Sequence, residues 1–326
     1  MPNIKHLNQA KSAKNDEFFT QYEDIEKECQ YYSEDFKDKC IYLPCDEEKS
    51  NFWKYFVDNF HNFKLKHLTA THIDFNTNSY RLDYNGTETI KTALEGNGDF
   101  RSEECTKIKN DADIIITNEP FSLFRDFVYW LFGGVFEKVD NKYIRKVENI
   151  RFDYDKKFLI IGNMNAVTYK EIFPYIKNNQ LWLGVSISSG DRRFDVPKTY
   201  DLNAATCGID EKGIHFIRVK GVRWFTNIDN KKRNTPLDLY KKYTPEEYPQ
   251  YDNYFGIEVS KVCDIPMDYD GVMGVPITFL DKYCSTQFEI VGIAKDGRGH
   301  KWDLFKPFIN GKPTYARILI KKRDNQ

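Results

Sequence analysis

The run Ile114-Ile115-Ile116-Thr117 is short, β-branched and uninterrupted, and it stops at Asn118-Glu119-Pro120-Phe121. Such a run predicts a strand covered on both faces, as in a parallel sheet. Tyr22, Ile25, Cys29 and Tyr32 recur at spacings of three and four, which predicts a helix within residues 16–32, with Thr20 and Glu23 as a capping box. Further strands are expected at 40–44, 67–74, 156–163 and 181–187. Helices are expected at 50–60, with Ser50 or Asn51 as cap, at 122–132, and at 169–178, where Pro174 kinks or ends the helix. Residues 75–98 read as polar and turn-rich. Strand and helix alternate to about residue 190, the pattern of a parallel sheet with crossover helices. Beyond it, short strands are separated by Gly, Asp-Asn and Pro turns, so a domain boundary is placed near 190. Residues 133–151 interrupt the alternation as a hairpin-like insertion around Asp140-Asn141, and residues 1–15 read as a flexible basic arm.

Composition narrows the partners. The chain has 326 residues, 30% of them charged, with a net charge of -1. That balance excludes a uniformly basic nucleic-acid coat but not a local basic face. Candidates are Arg192-Arg193, the set Arg218, Lys220 and Arg223, Lys231-Lys232-Arg233 and Lys321-Lys322-Arg323. Any one of them alone reads more simply as solvated charge. The seven cysteines form no C-x-x-C pair, which argues for a reducing compartment and against a disulfide framework or structural zinc. The six histidines show no metal-binding spacing, so no metal is expected. The first residues lack the apolar core of a signal peptide and no stretch matches a membrane span, so a cytoplasmic protein is expected.

Three features share the N-terminal half: Cys45-Asp46 and Asn118-Glu119-Pro120-Phe121, each ending a predicted strand, and Gly98-Asp99-Phe100, an acid beside an aromatic. If the strands are parallel, all three share one edge of the sheet, where α/β folds bind ligands. An acid there suits a ribose hydroxyl or an adenine amino group, and an aromatic beside it suits stacking. Singly the signals are weak. Asn97-Gly98 is also a hairpin turn, Gly96-x-Gly98 is too short for a dinucleotide fingerprint, and Asp46 can be a helix-initiating acid. Glu47-Glu48-Lys49 after a strand resembles a nuclease motif but reads better as a solvated turn.

The strings "KNDEFFTQYEDIEKECQYY", "GDFRS", "TNEPFSLF", "KKFLIIGNMNAVTYKEIF" and "DYDGVMGVPITFL" closely resemble the EcoRI-type adenine-N6 DNA methyltransferases, from about residue 14 to the end. The resemblance implies an α/β, Rossmann-like catalytic domain over 16–190 that binds S-adenosyl-L-methionine. It implies a DNA target-recognition region over 191–326, and the basic clusters noted above make Arg192, Arg193, Arg218, Lys220 and Arg223 the expected phosphate contacts. It further implies action on double-stranded DNA by base flipping, a monomer, and pairing with a restriction endonuclease. Carried over by position, Phe19 and Thr20 match the N-terminal cofactor motif. Cys45 and Asp46 match the segment that is a glycine-rich turn in other methyltransferases, and Asp99 and Phe100 the part that contacts the adenine. Asn118, Glu119, Pro120 and Phe121 match the catalytic tetrapeptide, in which the Asn118 side-chain oxygen and the carbonyl of residue 119 accept from the target amine and Phe121 stacks on the flipped base. The family tetrapeptide has proline where this chain has Glu119, and a proline stiffens the acceptor carbonyl. The alternative reading is therefore a weakened or inactive member of the same fold that binds DNA or cofactor without transfer.

Overall fold

The computed structural model describes residues 18–73, 79–140, 142–146, 156–200, 206–297 and 301–323. The arm expected over residues 1–15 lies outside them. The chain divides into two compact units. The first runs to Asn163 and resumes over Gly184–Ile228, and the second comprises Met164–Leu183 and the chain from Asp229 onward. The boundary expected near residue 190 is thus not where the units divide.

Along the first unit come β1 (Phe19–Thr20), α1 (Tyr22–Cys29), β2 (Cys40–Leu43), α2 (Asn51–Asp58), β3 (His67–His72), β4 (Tyr80–Tyr84) and β5 (Thr89–Ala93). Next are α3 (Glu103–Asp111), β6 (Ile114–Thr117), α4 (Phe124–Leu131), β7 (Phe136–Val139), β8 (Lys142–Arg145) and β9 (Lys157–Asn163). After a segment of the second unit that holds α5 (Phe173–Lys177) and β10 (Trp182–Leu183) follow β11 (Asp191–Asp195), β12 (Cys207–Ile209), β13 (His215–Lys220) and β14 (Val222–Thr226).

Seven strands of the first unit lie side by side in the order β14-β9-β6-β2-β3-β4-β5. The inner four, β9, β6, β2 and β3, are mutually parallel. Strand β14 closes one side antiparallel to β9, from Val222 opposite Asn163 to Thr226 opposite Leu159. All five of its residues are buried, which is why the chain from residue 190 to Ile228 still belongs to this unit. A second sheet, β1-β11-β13-β12, is antiparallel.

Alternation along the parallel strands fills two layers. Ile41, Leu43, Ile114, Ile116, Leu159 and Ile161 pack with Ile25 and Cys29 of α1 and Phe52 and Phe56 of α2. From the other face Tyr42 meets Trp130, while Phe158 meets Phe132 and Phe225 meets Phe124, all edge to face. Burying each large apolar side chain contributes about 1.5–3 kcal/mol. Helix α2 starts where Ser50 Oγ accepts from the Trp53 amide at 3.0 Å, as expected from its sequence. Tyr22, Ile25, Cys29 and Tyr32 lie in α1 and the 3-10 turn that continues it.

Several expectations are corrected. The capping box does not form, because Thr20 belongs to β1 and Gln21 caps α1 without a side-chain bond. Residues 75–98 hold two strands, β4 and β5, whose half-exposed and exposed positions leave little apolar signal. Helix α3 went unanticipated for the same reason: only Cys105, Ile108 and Lys109 of it are buried. Pro174 sits in the first turn of α5 and starts that helix rather than ending one, since its missing N–H costs nothing there. The strand expected over 181–187 shrinks to Trp182–Leu183. The hairpin of the 133–151 segment is present as β7 paired with β8, with Asp140 left-handed at the turn.

The second unit carries a five-stranded sheet in the order Ile257–Glu258 (β15), Met273–Val275 (β16), Arg317–Lys322 (β21), Phe288–Lys295 (β17) and Asp303–Phe305 (β18), with the small hairpin of Phe308–Ile309 (β19) and Lys312–Pro313 (β20). Inside it Arg317 Nε donates to both oxygens of buried Glu258 at 2.9 and 3.0 Å, a terminal nitrogen of Arg317 donates to Oε1 as well, and the Tyr251 hydroxyl donates to Oε2 at 2.7 Å.

In the first unit Glu28 of α1 is fully buried and holds an otherwise irregular stretch. Its carboxylate accepts from the Val185 amide at 2.8 Å, the Ser186 amide at 2.6 Å and the Tyr32 hydroxyl at 2.8 Å. Gly184 lets the chain approach, because a Cβ there would lie 2.2 Å from Glu28 Oε1. Glu28→Ala removes the shared acceptor and should destabilise the protein by on the order of 3 kcal/mol or more. Urea denaturation checks it, and a loss below about 1 kcal/mol contradicts this role.

Candidate active site

The parallel order places β2 between β3 and β6. The chain leaves β2 toward β3 on one side and returns as β6 on the other, so the order reverses between the carboxyl ends of β2 and β6. Such a switch point opens a crevice in α/β sheets. Cys45 and Asp46 follow β2, and Asn118 to Phe121 follow β6. The two strand ends are tied together, since the Thr117 hydroxyl lies 2.9 Å from the Pro44 carbonyl and 3.3 Å from Asp46 Oδ2. Cys45 makes the turn in a left-handed conformation, φ 58°.

The third expected feature reaches the same edge. Gly98 has φ 78°, and a Cβ there would lie 2.4 Å from the His72 carbonyl at the end of β3, so only glycine lets this turn close against the strand. Asp99 follows, buried, and Arg101 grips it twice, Nε to Oδ1 at 2.9 Å and a terminal nitrogen to Oδ2 at 2.7 Å. The sequence reading missed Arg101, although the Asp-x-Arg spacing was there to find. Phe100, expected to present a ring to a purine, is instead packed edge to face with Phe127, Trp130 and Phe136 in the core.

Asn118 is oriented from a distance in sequence. Its Nδ2 donates to the Phe18 carbonyl at 2.8 Å. That bond assigns the amide, because a carbonyl needs a donor, and it leaves Oδ1 as an acceptor. Among the described residues none donates to Asn118 Oδ1 or to the Glu119 backbone carbonyl. The next two carbonyls are used: Pro120 accepts from the Leu123 amide at 2.8 Å and Phe121 from the Phe124 amide at 3.4 Å, leading into α4. The half-buried Phe121 ring meets Phe18 edge on, centroids 5.7 Å apart. Phe19 is exposed on β1, and Thr20, buried beside it, has an Oγ1 without a hydrogen-bond partner.

Glu119 is the feature that composition did not foretell. It is 1% exposed, and neither carboxyl oxygen receives an N–H or O–H donor; the one hydrogen-bonding group that bears on it is the Cys45 thiol, a weak donor. Burial pushes its pKa up to about 8; Asp99 and Asp46 add to the shift, and the facing Cys45 thiol and the Arg101 guanidinium oppose it. Burial likewise raises Asp46 to about 7, against the pull of the Ser50 and Thr117 hydroxyls. Burial and Glu119 push the Cys45 thiol up, so it is no nucleophile.

The expected phosphate contacts scatter. Arg192 and Arg193 are adjacent in β11 and point to opposite faces. Arg193 is held by Asp210 at 2.6 Å and Asp195 at 3.0 Å. Arg218, opposite Arg193 in β13, is exposed with Asp191 at 3.4 Å, and Lys220 ends the same strand in solvent. Arg223 is 4% exposed and donates to the Val222 and Ser188 carbonyls, so it fastens the chain internally instead of facing outward. Among the described residues no helix is long and apolar enough to cross a membrane.

The model of the family described as adenine-specific methyltransferase EcoRI matches residues 6–323. The chain is 43% identical over 340 residues to the Type II methyltransferase M.EcoRI of Escherichia coli, spanning 98% of this chain and 97% of that protein. It is 35% identical over 336 residues to M.MgeORF184P of Mycoplasma genitalium, spanning 98% and 99%. It is also 35% identical over 346 residues to M.MpnI of Mycoplasma pneumoniae, spanning 99% of each. No solved structure matches the chain. With the family model covering nearly its whole length, the chain belongs to the EcoRI family of adenine-specific methyltransferases.

Proposed function

We propose that this chain transfers a methyl group from S-adenosyl-L-methionine to N6 of an adenine in a specific double-stranded DNA sequence, with the target base flipped from the duplex. The first unit is then a Rossmann-like catalytic domain and the second a target-recognition region. The protein acts in the cytoplasm as a monomer, as the modification partner of a restriction endonuclease. One observation carries the reading: Asn118 Oδ1 and the Glu119 carbonyl are adjacent acceptors, unengaged within the described residues, at the switch point of the sheet.

An exocyclic amine is a poor nucleophile because its lone pair is delocalised into the ring. Two acceptors that take its two hydrogens localise that pair. The Phe18 carbonyl fixes the Asn118 amide before substrate arrives, so little reorganisation is left for the reaction. Pro120 biases Glu119 toward an extended backbone, which keeps its carbonyl available without a proline at position 119. Phe121 supplies the ring on which an extruded base stacks. The bound cofactor supplies a methyl group already activated on a sulfonium. Groups on this edge fit it: the orphaned Thr20 hydroxyl, Asp46, and the buried Glu119 carboxyl. Asp99, saturated by Arg101, shapes the pocket and offers its remaining lone pairs to a hydroxyl or amine.

Single-turnover transfer of tritiated methyl to DNA tests the proposal. Asn118→Ala should slow the step by about 10²–10³, the usual loss for one preorganised hydrogen bond, while cofactor affinity changes less than about tenfold. Inert wild type would favour the binding-only reading, and a fully active Asn118→Ala would remove Asn118 from the reaction.

DNA affinity supplies a second check. The double variant Arg218→Ala and Lys220→Ala should reduce the slope of log affinity against log salt by about 1–2, because each phosphate contact contributes about 0.9. Arg223→Ala should leave that slope in place. The reverse pattern would show that the exposed residues of β13 are only a solvated face.

A further inference from the structure

We propose that Glu119 is the counter-ion of the cofactor's sulfonium and makes the site prefer the charged methyl donor to its uncharged thioether product. The inference rests on the proposed cofactor and adds which side chain answers its charge.

Three carboxyl groups converge on this edge, and two are already answered. Asp99 is matched by Arg101 through two bonds. Asp46 has the Thr117 hydroxyl within 3.3 Å of Oδ2. Glu119 alone among them is 1% exposed and has no N–H or O–H donor on either oxygen, only the weak thiol donor of Cys45. Its neighbours come from two other segments: Cys45 and Asp46 after β2, and Asp99 and Arg101 before α3. Arg101 compensates it only in part, since its donors serve Asp99 and it also faces Asp126 at 3.7 Å.

Position in the chain says which part of the cofactor is involved. The methyl group must reach an amine held by Asn118 Oδ1 and the residue 119 carbonyl. The atom that carries the methyl is therefore next to residue 119, and it is a cation. A buried carboxylate with only a weak donor is costly to keep, and a fixed cation beside it offsets that cost. In the ligand-free protein Glu119 is largely protonated below its raised pKa of about 8. A bound sulfonium favours the ionised form, so its binding should release a proton below that pH. Methyl transfer removes the positive charge from sulfur, so the product loses this attraction and leaves more readily.

Isothermal titration calorimetry on the full chain tests this with two stable probes, in buffers of different ionisation enthalpy. Sinefungin carries an ammonium in place of the sulfonium, and S-adenosylhomocysteine is the neutral thioether. Wild type should bind sinefungin about tenfold more tightly at pH 8.5 than at pH 6.5, releasing up to one proton at the lower pH. S-adenosylhomocysteine should show neither effect through Glu119. Glu119→Gln should flatten the pH response to sinefungin and leave that to S-adenosylhomocysteine as in wild type. The ligand-free variant also reports on the carboxyl. A raised folded pKa means that wild type loses stability as pH rises from the ordinary carboxyl value of 4.5 toward about 8, so Glu119→Gln should melt higher than wild type at pH 8.5. Identical pH responses in wild type and Glu119→Gln overturn this inference alone, as does an equal response to the neutral thioether. Failure of wild type to bind either probe or S-adenosyl-L-methionine overturns the cofactor assignment and this inference together.

Discussion

The parallel pairing of β2 with β6, Ile41 opposite Ile114 and Tyr42 opposite Ile115, is the constraint on which the site depends. It sets two loops, more than seventy residues apart in the chain, at one edge of the sheet. The hydroxyl of Thr117 fastens the last turn of that edge to Pro44 and Asp46. The register is held from both faces, because the same strands bury Ile41 and Ile114 against α1 and α2, and Tyr42 against Trp130. A slip of one residue would exchange the two faces and expose both cores. Rigid strands thus deliver flexible chemistry: Asn118 points where it does because β6 ends there and Phe18 receives its amide.

Electrostatics of the edge follow from burial. Three carboxyl groups lie close together in an apolar surround, where like charges are costly. Arg101 relieves Asp99 and hydroxyls relieve Asp46, while Glu119 takes up its proton instead. The protein therefore holds an acid whose pKa is raised to about 8.

Much of this was legible in the sequence where a residue's role depends on its own strand. The Ile114–Thr117 run, the Ser50 cap, the hairpin at Asp140 and the placing of Cys45-Asp46 and Asn118–Phe121 at strand ends all follow from local patterning. What was not legible depends on tertiary partners. Strand β5 is exposed throughout and carries no apolar alternation. Phe100 looked like a stacking ring because its neighbours Phe127 and Trp130 lie almost thirty residues on. Arg223 looked like a phosphate contact, but its burial is set by the pairing of β14 with β9 and by the Ser188 carbonyl. Thr20 and Glu23 have the spacing of a capping box, yet pairing of β1 with β11 claims Thr20 first. Glu119 read as a departure from a stiff turn, and only its enclosure reveals an unanswered carboxyl.

The central claim is that the carboxyl ends of β2, β3 and β6 form one cofactor site. Amide hydrogen exchange of the full chain, with and without saturating S-adenosyl-L-methionine, tests it most directly. The account predicts slowed exchange concentrated in three separate stretches, 44–47, 98–102 and 117–121, since opening there would have to release the ligand. Protection confined to one stretch, or centred on the five-stranded sheet of the second unit, would contradict it.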